Sequence, residues 1–381
     1  MNKRFVTIFE KIQNLHLTKD VGQIPYLMYK KFNYESIIVG HKLDNSYPYL
    51  NEETKGLKLK LLPKLKIGRI SLSIIWYLIF NARKIDILNL YHHRTNTYFY
   101  IWLYKKINPK GILYLKSDLV IDGLNEYQSF VNPEYTIRNY FLNKTIRNMD
   151  IISFETTQSF ELANKLYKEH KHKFLYLQNG FNIDSAYKYF RPKDYELKEN
   201  LIITVGRIGT FQKNNEVLLE AITKINLKDW KIELVGSIEK EFTKYIDNYY
   251  LTYPYLKGKV KFIGEITDKK ELYEYYNRAK IFCLTSRDES FGLVYTEALS
   301  YGNFIVSTEV GAVLDITNNL EYGTLIENKN ELAEKLESLI TSETKLLNSY
   351  NFSMKYAKEN FDWYNIIDKL EEKIKDVKRK D

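Results

Sequence analysis

Two glutamates, Glu289 and Glu297, stand eight residues apart in the stretch RDESFGLVYTEALSYG (287–302), with Phe291 and Gly292 between them. The apolar run KIFCLTS (280–286) before them reads as a strand, and the run from Leu293 reads as a helix. Gly292 lets backbone approach a ligand closely, so the N–H groups of Gly292, Leu293 and Val294 can point at a phosphate. Glu289 precedes the helix and can face a ligand. Glu297 lies about one turn inside it, where a carboxylate can accept two ribose hydroxyls. An ordinary capped helix with two solvated acids would leave the Phe-Gly break unexplained.

A second pair has the same logic. Arg207 and Lys213 lie between a strand-like run, LIITVG (201–206), and a helix-like run, NEVLLEAI (215–222). A helix N-terminus favours anions, and a guanidinium fork with an ammonium beside it makes a diphosphate site. Neither the P-loop pattern nor the G-x-G-x-x-G dinucleotide fingerprint occurs.

Positioning such residues takes a sheet whose strand ends face a ligand. Strand-like and helix-like runs alternate almost throughout, which predicts an α/β protein with two doubly wound parallel sheets. In the first half the strands are expected at 36–40, 85–91, 111–117, 150–155 and 173–180. In the second they are expected at 201–206, 231–236, 260–264, 280–286 and 303–308. A polar segment with Pro192 breaks the pattern, so the junction is expected near residues 182–200. Two such domains are expected to face each other across a cleft, with ligands at the carboxyl ends of the strands.

The chain's 381 residues suffice for two such domains, and 44% are hydrophobic, as in a globular protein. The lone Cys283 excludes an internal disulfide and fits a reducing compartment. The first ten residues lack the apolar core of a signal peptide, and the longest apolar stretch (70–82) is too short to span a bilayer. A soluble, cytoplasmic protein is expected. Residues 1–110 hold 19 Lys/Arg against 7 Asp/Glu, a net +12, which leaves −3 for the remainder of the +9 total. That asymmetry suits an anionic partner such as a membrane surface, although a solvated lysine-rich face gives the same balance. There is no Asp-x-Asp, no His-Glu-x-x-His and no Cys/His cluster, so no metal site is expected. No helix-turn-helix or RNP-like pattern supports nucleic-acid binding.

The stretch ESFGLVYTE, followed by ALSYGNFIVSTEVGA, closely resembles family 4 of the retaining glycosyltransferases, whose GT-B fold has two Rossmann-like domains. The resemblance extends to VGRIGTFQKN, similar to that family's phosphate loop, and to VKFIGEITDKKELYEYYNRAKIFCLTS around the base. It covers QNGFN (178–182) before the linker and NFDWYNIIDKL, similar to a terminal helix that crosses back. Residues 178–325 carry it well, and residues 1–150 share only the strand pattern. It implies an acceptor-binding domain over 1–185, a nucleotide-sugar domain over 186–360, and a helix (361–381) returning to the first. It also implies that Arg207 and Lys213 neutralise a diphosphate, that Glu297 holds the ribose, and that Glu289 contacts the donor sugar. Gly292, Leu293 and Val294 supply backbone donors, Gly264 and Ile266 face the base, and Gly22 belongs to a glycine loop after the first strand. That loop departs from the family's two adjacent glycines, since Val21 precedes Gly22. Where many members show His-Asp, this chain has Ser117-Asp118 with Lys116 before it, so Asp118 and Lys116 are candidates for the reacting centre, as are His92 and His93.

The implied activity is transfer of a sugar from a nucleoside-diphosphate sugar, UDP ahead of GDP, with the anomeric configuration kept. No cofactor is needed. The acceptor is a glycan or a lipid-linked glycan, as in capsule, exopolysaccharide or wall synthesis. The alternatives are a non-catalytic nucleotide-sugar-binding subunit, and a glycoside hydrolase using Glu289 and Glu297. The hydrolase fits poorly, because two acids on one loop–helix unit would flank the same side of a sugar.

Overall fold

The computed structural model describes residues 3–92, 95–117, 140 and 143–379. It comprises two units, one of residues 1–180 with 363–381 and the other of residues 181–362.

The first unit is built on β1 (Arg4–Ile12), β2 (Glu35–Lys42), β3 (Lys58–Leu62), a small hairpin of β4 (Lys66–Ile67) and β5 (Ile70–Ser71), then β6 (Ile87–Tyr91), β7 (Ile112–Ser117), β8 (Ile151–Phe154) and β9 (Phe174–Tyr176). Seven of these form one parallel sheet in the order β3-β2-β1-β6-β7-β8-β9. Strands such as β6 (ILNLY) and β7 (ILYLKS) are buried at every position, because helices cover both faces of a parallel sheet. On one face Leu88, Leu113 and Ile152 pack under the helices Leu72–Asn81 and Thr95–Ile107 through Ile74, Leu78, Ile101 and Tyr104. On the other face Ile87, Ile112 and Ile151 meet the helix Asp20–Phe32 and the last helix, Trp363–Lys378, whose Ile366, Ile367, Leu370 and Ile374 recur at helical spacing.

The second unit has β10 (Glu199–Val205), β11 (Lys231–Val235), β12 (Val260–Gly264), β13 (Ala279–Leu284), β14 (Phe304–Ser307) and β15 (Gly323–Leu325), all parallel in the order β12-β11-β10-β13-β14-β15. The order reverses between β10 and β13, which is the switch point where open α/β sheets bind ligands. Cys283, central in β13, is fully buried, and burial pushes its thiol up to about 12, so it packs as a small hydrophobe.

The polar segment after residue 182 holds a helix, Ile183–Tyr189, capped by the Asn182 side chain on the Ser185 N–H. The C-terminal stretch is two helices, Thr344–Phe361 and Trp363–Lys378. Between them Asp362 is extended and bridges to Phe181.

Candidate active site

The strand ends at the switch point are made of glycine. Gly206 after β10, Gly236 after β11 and Gly264 at the end of β12 have φ of +154°, +145° and +88°. The Gly206 N–H donates to the Val235 carbonyl at 2.9 Å, and the Gly236 N–H to the Gly264 carbonyl at 2.8 Å. A Cβ on Gly236 would stand 1.8 Å from the Gly206 carbonyl oxygen, so only glycine fits there.

The loop leaving Gly206 folds back over its strand. The Lys213 N–H donates to the Thr210 carbonyl and hydroxyl at 3.1 and 3.2 Å. The Lys213 side chain then returns past Gly206, and its ammonium pairs with Glu289 Oε1. The two side chains are only 13% and 11% exposed, which separates this pair from the solvated charges of the surface. Glu289 also accepts from the Ser286 hydroxyl at 2.8 Å. Because β10 and β13 are neighbours, the two loops are stitched together along their length. The Arg287 N–H donates to the Gln212 carbonyl at 2.8 Å, the Gln212 side chain to the Asp288 carbonyl at 2.9 Å, and the Thr285 hydroxyl to the Asn214 carbonyl at 2.9 Å. Arg207 is exposed, and its guanidinium donates to the neutral amide of Gln212 at 3.2 Å.

The helix Leu293–Ser300 starts from Gly292 in the left-handed conformation (φ +84°), with no side chain capping its first N–H groups. Its first turn is therefore open to an anion. Glu297, half-buried one turn on, accepts from the Tyr276 hydroxyl at 2.8 Å, and burial together with the Glu297 charge holds that phenol well above its usual range. Gly264 has open space where a Cβ would stand, and Ile266 packs partly against the core. The structure thus brings Arg207, Lys213, Glu289 and Gly292 to adjoining loops. It puts Glu297 on the helix behind them, and Gly264 at a strand end two strands away.

Sequence reasoning missed two contributors in this unit. Gly311, at φ +58°, lets the loop after β14 pass close to Glu289, since a Cβ there would stand 3.0 Å from the Glu289 Cβ, and the Ala312 N–H donates to the Phe291 carbonyl. Phe211 is 80% exposed with the Arg287 guanidinium 4.1 Å over its ring, a flat apolar surface beside Arg207 on the same loop. Its only signal was an aromatic residue in an otherwise polar loop.

In the first unit Gly22 lies in the first turn of the helix Asp20–Phe32, and a Cβ there would meet the Leu17 carbonyl at 2.3 Å. Lys116 is buried, paired with Glu155 at 3.1 Å and donating to the Leu177 carbonyl at 3.0 Å. Burial, with the charge of Glu155 adding to it, pushes the neighbouring Asp20 carboxyl up to about 6, against the pull of Lys116. Asp118 and His93 lie outside the described residues. His92 takes φ +63° and lines a cavity of about 290 Å³. That cavity, not anticipated from sequence, sits at the carboxyl ends of β1 and β6 and is walled by Phe9, Glu10, His16, Tyr91 and Asn96. Burial would raise the Glu10 carboxyl, but hydrogen bonds from Lys66, Tyr100 and Asn96 hold it below the usual range, so it stays ionised. The Gln13 N–H donates to His16 Nδ1 at 3.0 Å, which leaves Nε2 as the protonated nitrogen of the neutral ring.

Residues 185–359 match the model of the family described as Glycosyl transferases group 1. That stretch is similar to a group 1 glycosyltransferase domain. The chain is 32% identical over 208 residues to a protein of Thermosipho melanesiensis described as "Probable sucrose-phosphate synthase", covering 52% of this chain and 46% of that one. It is 27% identical over 157 residues to the amylovoran biosynthesis glycosyltransferase AmsD of Erwinia amylovora, covering 37% and 42%. The chain spans about half the length of the curated relatives it matches. Among solved structures, the sucrose-phosphate synthase of Thermosynechococcus elongatus aligns over 100% of both chains at TM-score 0.73 and 16% identity. Anabaena HepE in complex with UDP and glucose aligns over 98% of this chain and 100% of that one at TM-score 0.69 and 15% identity. These likenesses extend the GT-B fold to the whole chain.

Proposed function

We propose that this glycosyltransferase moves a sugar from a nucleoside-diphosphate sugar, UDP ahead of GDP, to a glycan or lipid-linked acceptor, with retention at the anomeric carbon. The observation that carries the reading is the Lys213–Glu289 pair closing two strand-end loops beside the uncapped helix at Gly292. In the reaction the bond from the anomeric carbon to the diphosphate oxygen breaks, the acceptor oxygen bonds to that carbon and gives up its proton, and the diphosphate leaves with the electron pair. Arg207, Lys213 and the N–H groups of Gly292, Leu293 and Val294 meet the charge that develops on it. A bound diphosphate competes with Glu289 for Lys213, which frees the carboxylate toward the donor sugar. Glu297 holds the ribose hydroxyls, with Tyr276 fixing its other side, while the loop of Gly264 and Ile266 takes the base. Donor binding is assigned to the second unit and acceptor binding to the first, and Gly22 and Asp118 are assigned a part in the reaction by the family resemblance.

Two relatives support the surroundings of this reading. HepE was solved with UDP and glucose, and AmsD is named for polysaccharide synthesis. A cytoplasmic enzyme at the inner face of the cell membrane, acting in capsule, exopolysaccharide or wall glycan synthesis, fits both.

The test is calorimetric titration of nucleoside diphosphates. Glu297→Gln should weaken binding of the preferred nucleotide about tenfold, because an amide accepts two hydroxyls less well than a carboxylate. Unchanged affinity for both UDP and GDP would remove Glu297 from the site.

A further inference from the structure

The described chain has four tryptophans. Trp230 and Trp363 are buried, whereas Trp76 and Trp102 are about half exposed, and both lie on one side of the first unit. Trp76 stacks on Phe80 (centroids 5.7 Å apart) along the outer face of the helix Leu72–Asn81, where Ile79 is exposed too. Trp102 meets Phe99 at 5.7 Å on the helix Thr95–Ile107, which packs beside the first. The hairpin leading into Leu72–Asn81 adds Leu65 and Ile67, both more than half exposed. An apolar face of this kind on a single chain marks an interaction site.

Charge identifies the occupant. Between residues 54 and 117 the sequence has 13 Lys/Arg and a single acid, Asp86. Lys58 and Lys66 spend their charge on Glu35 and Glu10, at 2.8 Å each. Lys60 lies 5.1 Å over the Tyr77 ring, Lys106 lies 5.0 Å over Trp102, and Lys64 and Arg69 are exposed in and beside the hairpin. Cations rimming exposed tryptophans suit the headgroup level of an anionic bilayer, with the indoles at the boundary with the acyl chains. The helix Leu72–Asn81 has ten residues, and among the described residues no helix is long and apolar enough to cross a membrane, so the contact is with the surface. The helix Thr95–Ile107 also walls the 290 Å³ cavity, through Asn96, Thr97 and Tyr100, and the hairpin is tied to that wall through Glu10. Lys66 reaches from the hairpin to Glu10, and Asn96 and Tyr100 reach it from the helix.

We propose that the hairpin and these two helices form a docking face for an anionic phospholipid bilayer, so that the cavity beside it receives the polar head of a lipid-linked acceptor rather than a free glycan. The acceptor half of this inference rests on the glycosyltransferase reading, and the docking half does not.

The experiment is co-sedimentation of the full chain with vesicles of phosphatidylcholine alone or with phosphatidylglycerol, with tryptophan emission recorded in parallel. Anionic vesicles at low salt should pellet the protein and shift its emission to the blue. Neutral vesicles or high salt should leave it in the supernatant. The quadruple variant K60Q/K64Q/R69Q/K106Q and the double variant W76A/F80A should each lower the partition coefficient at least tenfold, with circular dichroism and nucleotide affinity unchanged. No association with anionic vesicles at low salt overturns the docking face. So does pelleting that the charge variant abolishes and W76A/F80A leaves intact, which would mark a merely basic surface. Turnover on a free glycan equal to that on the same glycan carried by a lipid in those vesicles overturns the acceptor half. Loss of nucleotide binding by the wild type would instead strike the glycosyltransferase reading and leave the vesicle result standing.

Discussion

Lys213→Ala should lower turnover of the nucleotide sugar by a factor on the order of 100 or more, because the ammonium is assigned to the leaving diphosphate. The substitution also strands Glu289, 11% exposed, without its cation, which costs several kcal/mol of stability in its own right. The two effects separate in the double variant Lys213→Met/Glu289→Gln, which removes both charges and keeps the volume. Its melting temperature should return toward the wild-type value while turnover stays at least about 100-fold down. Recovery of turnover together with stability would make the pair structural and take Lys213 out of the chemistry. Arg207→Ala is the companion without the stability term, since Arg207 is exposed and touches only a neutral amide among the contacts described.

Gly236→Ala should be the most damaging single methyl in the second unit. The new Cβ would need to stand 1.8 Å from the Gly206 carbonyl oxygen, a backbone atom, at φ +145°. β10 and β11 would have to part at the end that carries the loop of Arg207 and Lys213, at a cost of about 3 kcal/mol or more. Gly264→Ala is the control. Its φ of +88° is equally unsuited to a side chain, but nothing lies within 4 Å of the added Cβ, so strain alone should cost about 1 kcal/mol. Urea denaturation of the two variants decides between clash and strain. Equal losses would mean that the glycine-to-glycine contact of β10 and β11 does not hold the loop.

The second unit was the more legible half because its strands are short, continuous apolar runs that end in glycine. LIITVG, KIELVG and VKFIG each announce both the strand and its end, and Leu293 was placed as the start of its helix because Gly292 breaks the run before it. Two carboxylates at the right interval pointed to chemistry. What could not be read was that one of them closes on a lysine 76 residues away, since that pairing exists only once β10 lies beside β13. In the first unit β1, RFVTIFEKI, was passed over although it is central and pairs with both β2 and β6. Its alternation is irregular and charged at both ends, and its register slips between Ile8 and Lys11. The cavity was lost with it, because Phe9 and Glu10 at the end of that strand form its wall. The polar run after residue 182 concealed a helix whose apolar face is short, Ile183 and Ala186 alone being buried. The four lysines and one arginine of residues 58–69 read as one basic stripe, yet two of the five are neutralised by acids far off in sequence.

Proton NMR of the product decides whether the proposed transfer from a nucleotide sugar keeps the anomeric configuration. The enzyme is incubated with the UDP or GDP sugar that most raises its melting temperature and with a lipid-linked glycan acceptor, and the new anomeric proton's coupling constant is read against that of the donor. A new glycosidic signal with the configuration of the donor is expected, formed in step with release of the nucleoside diphosphate and suppressed in Lys213→Ala. A product of inverted configuration, or nucleotide sugars that neither bind nor turn over, would contradict the proposed transfer.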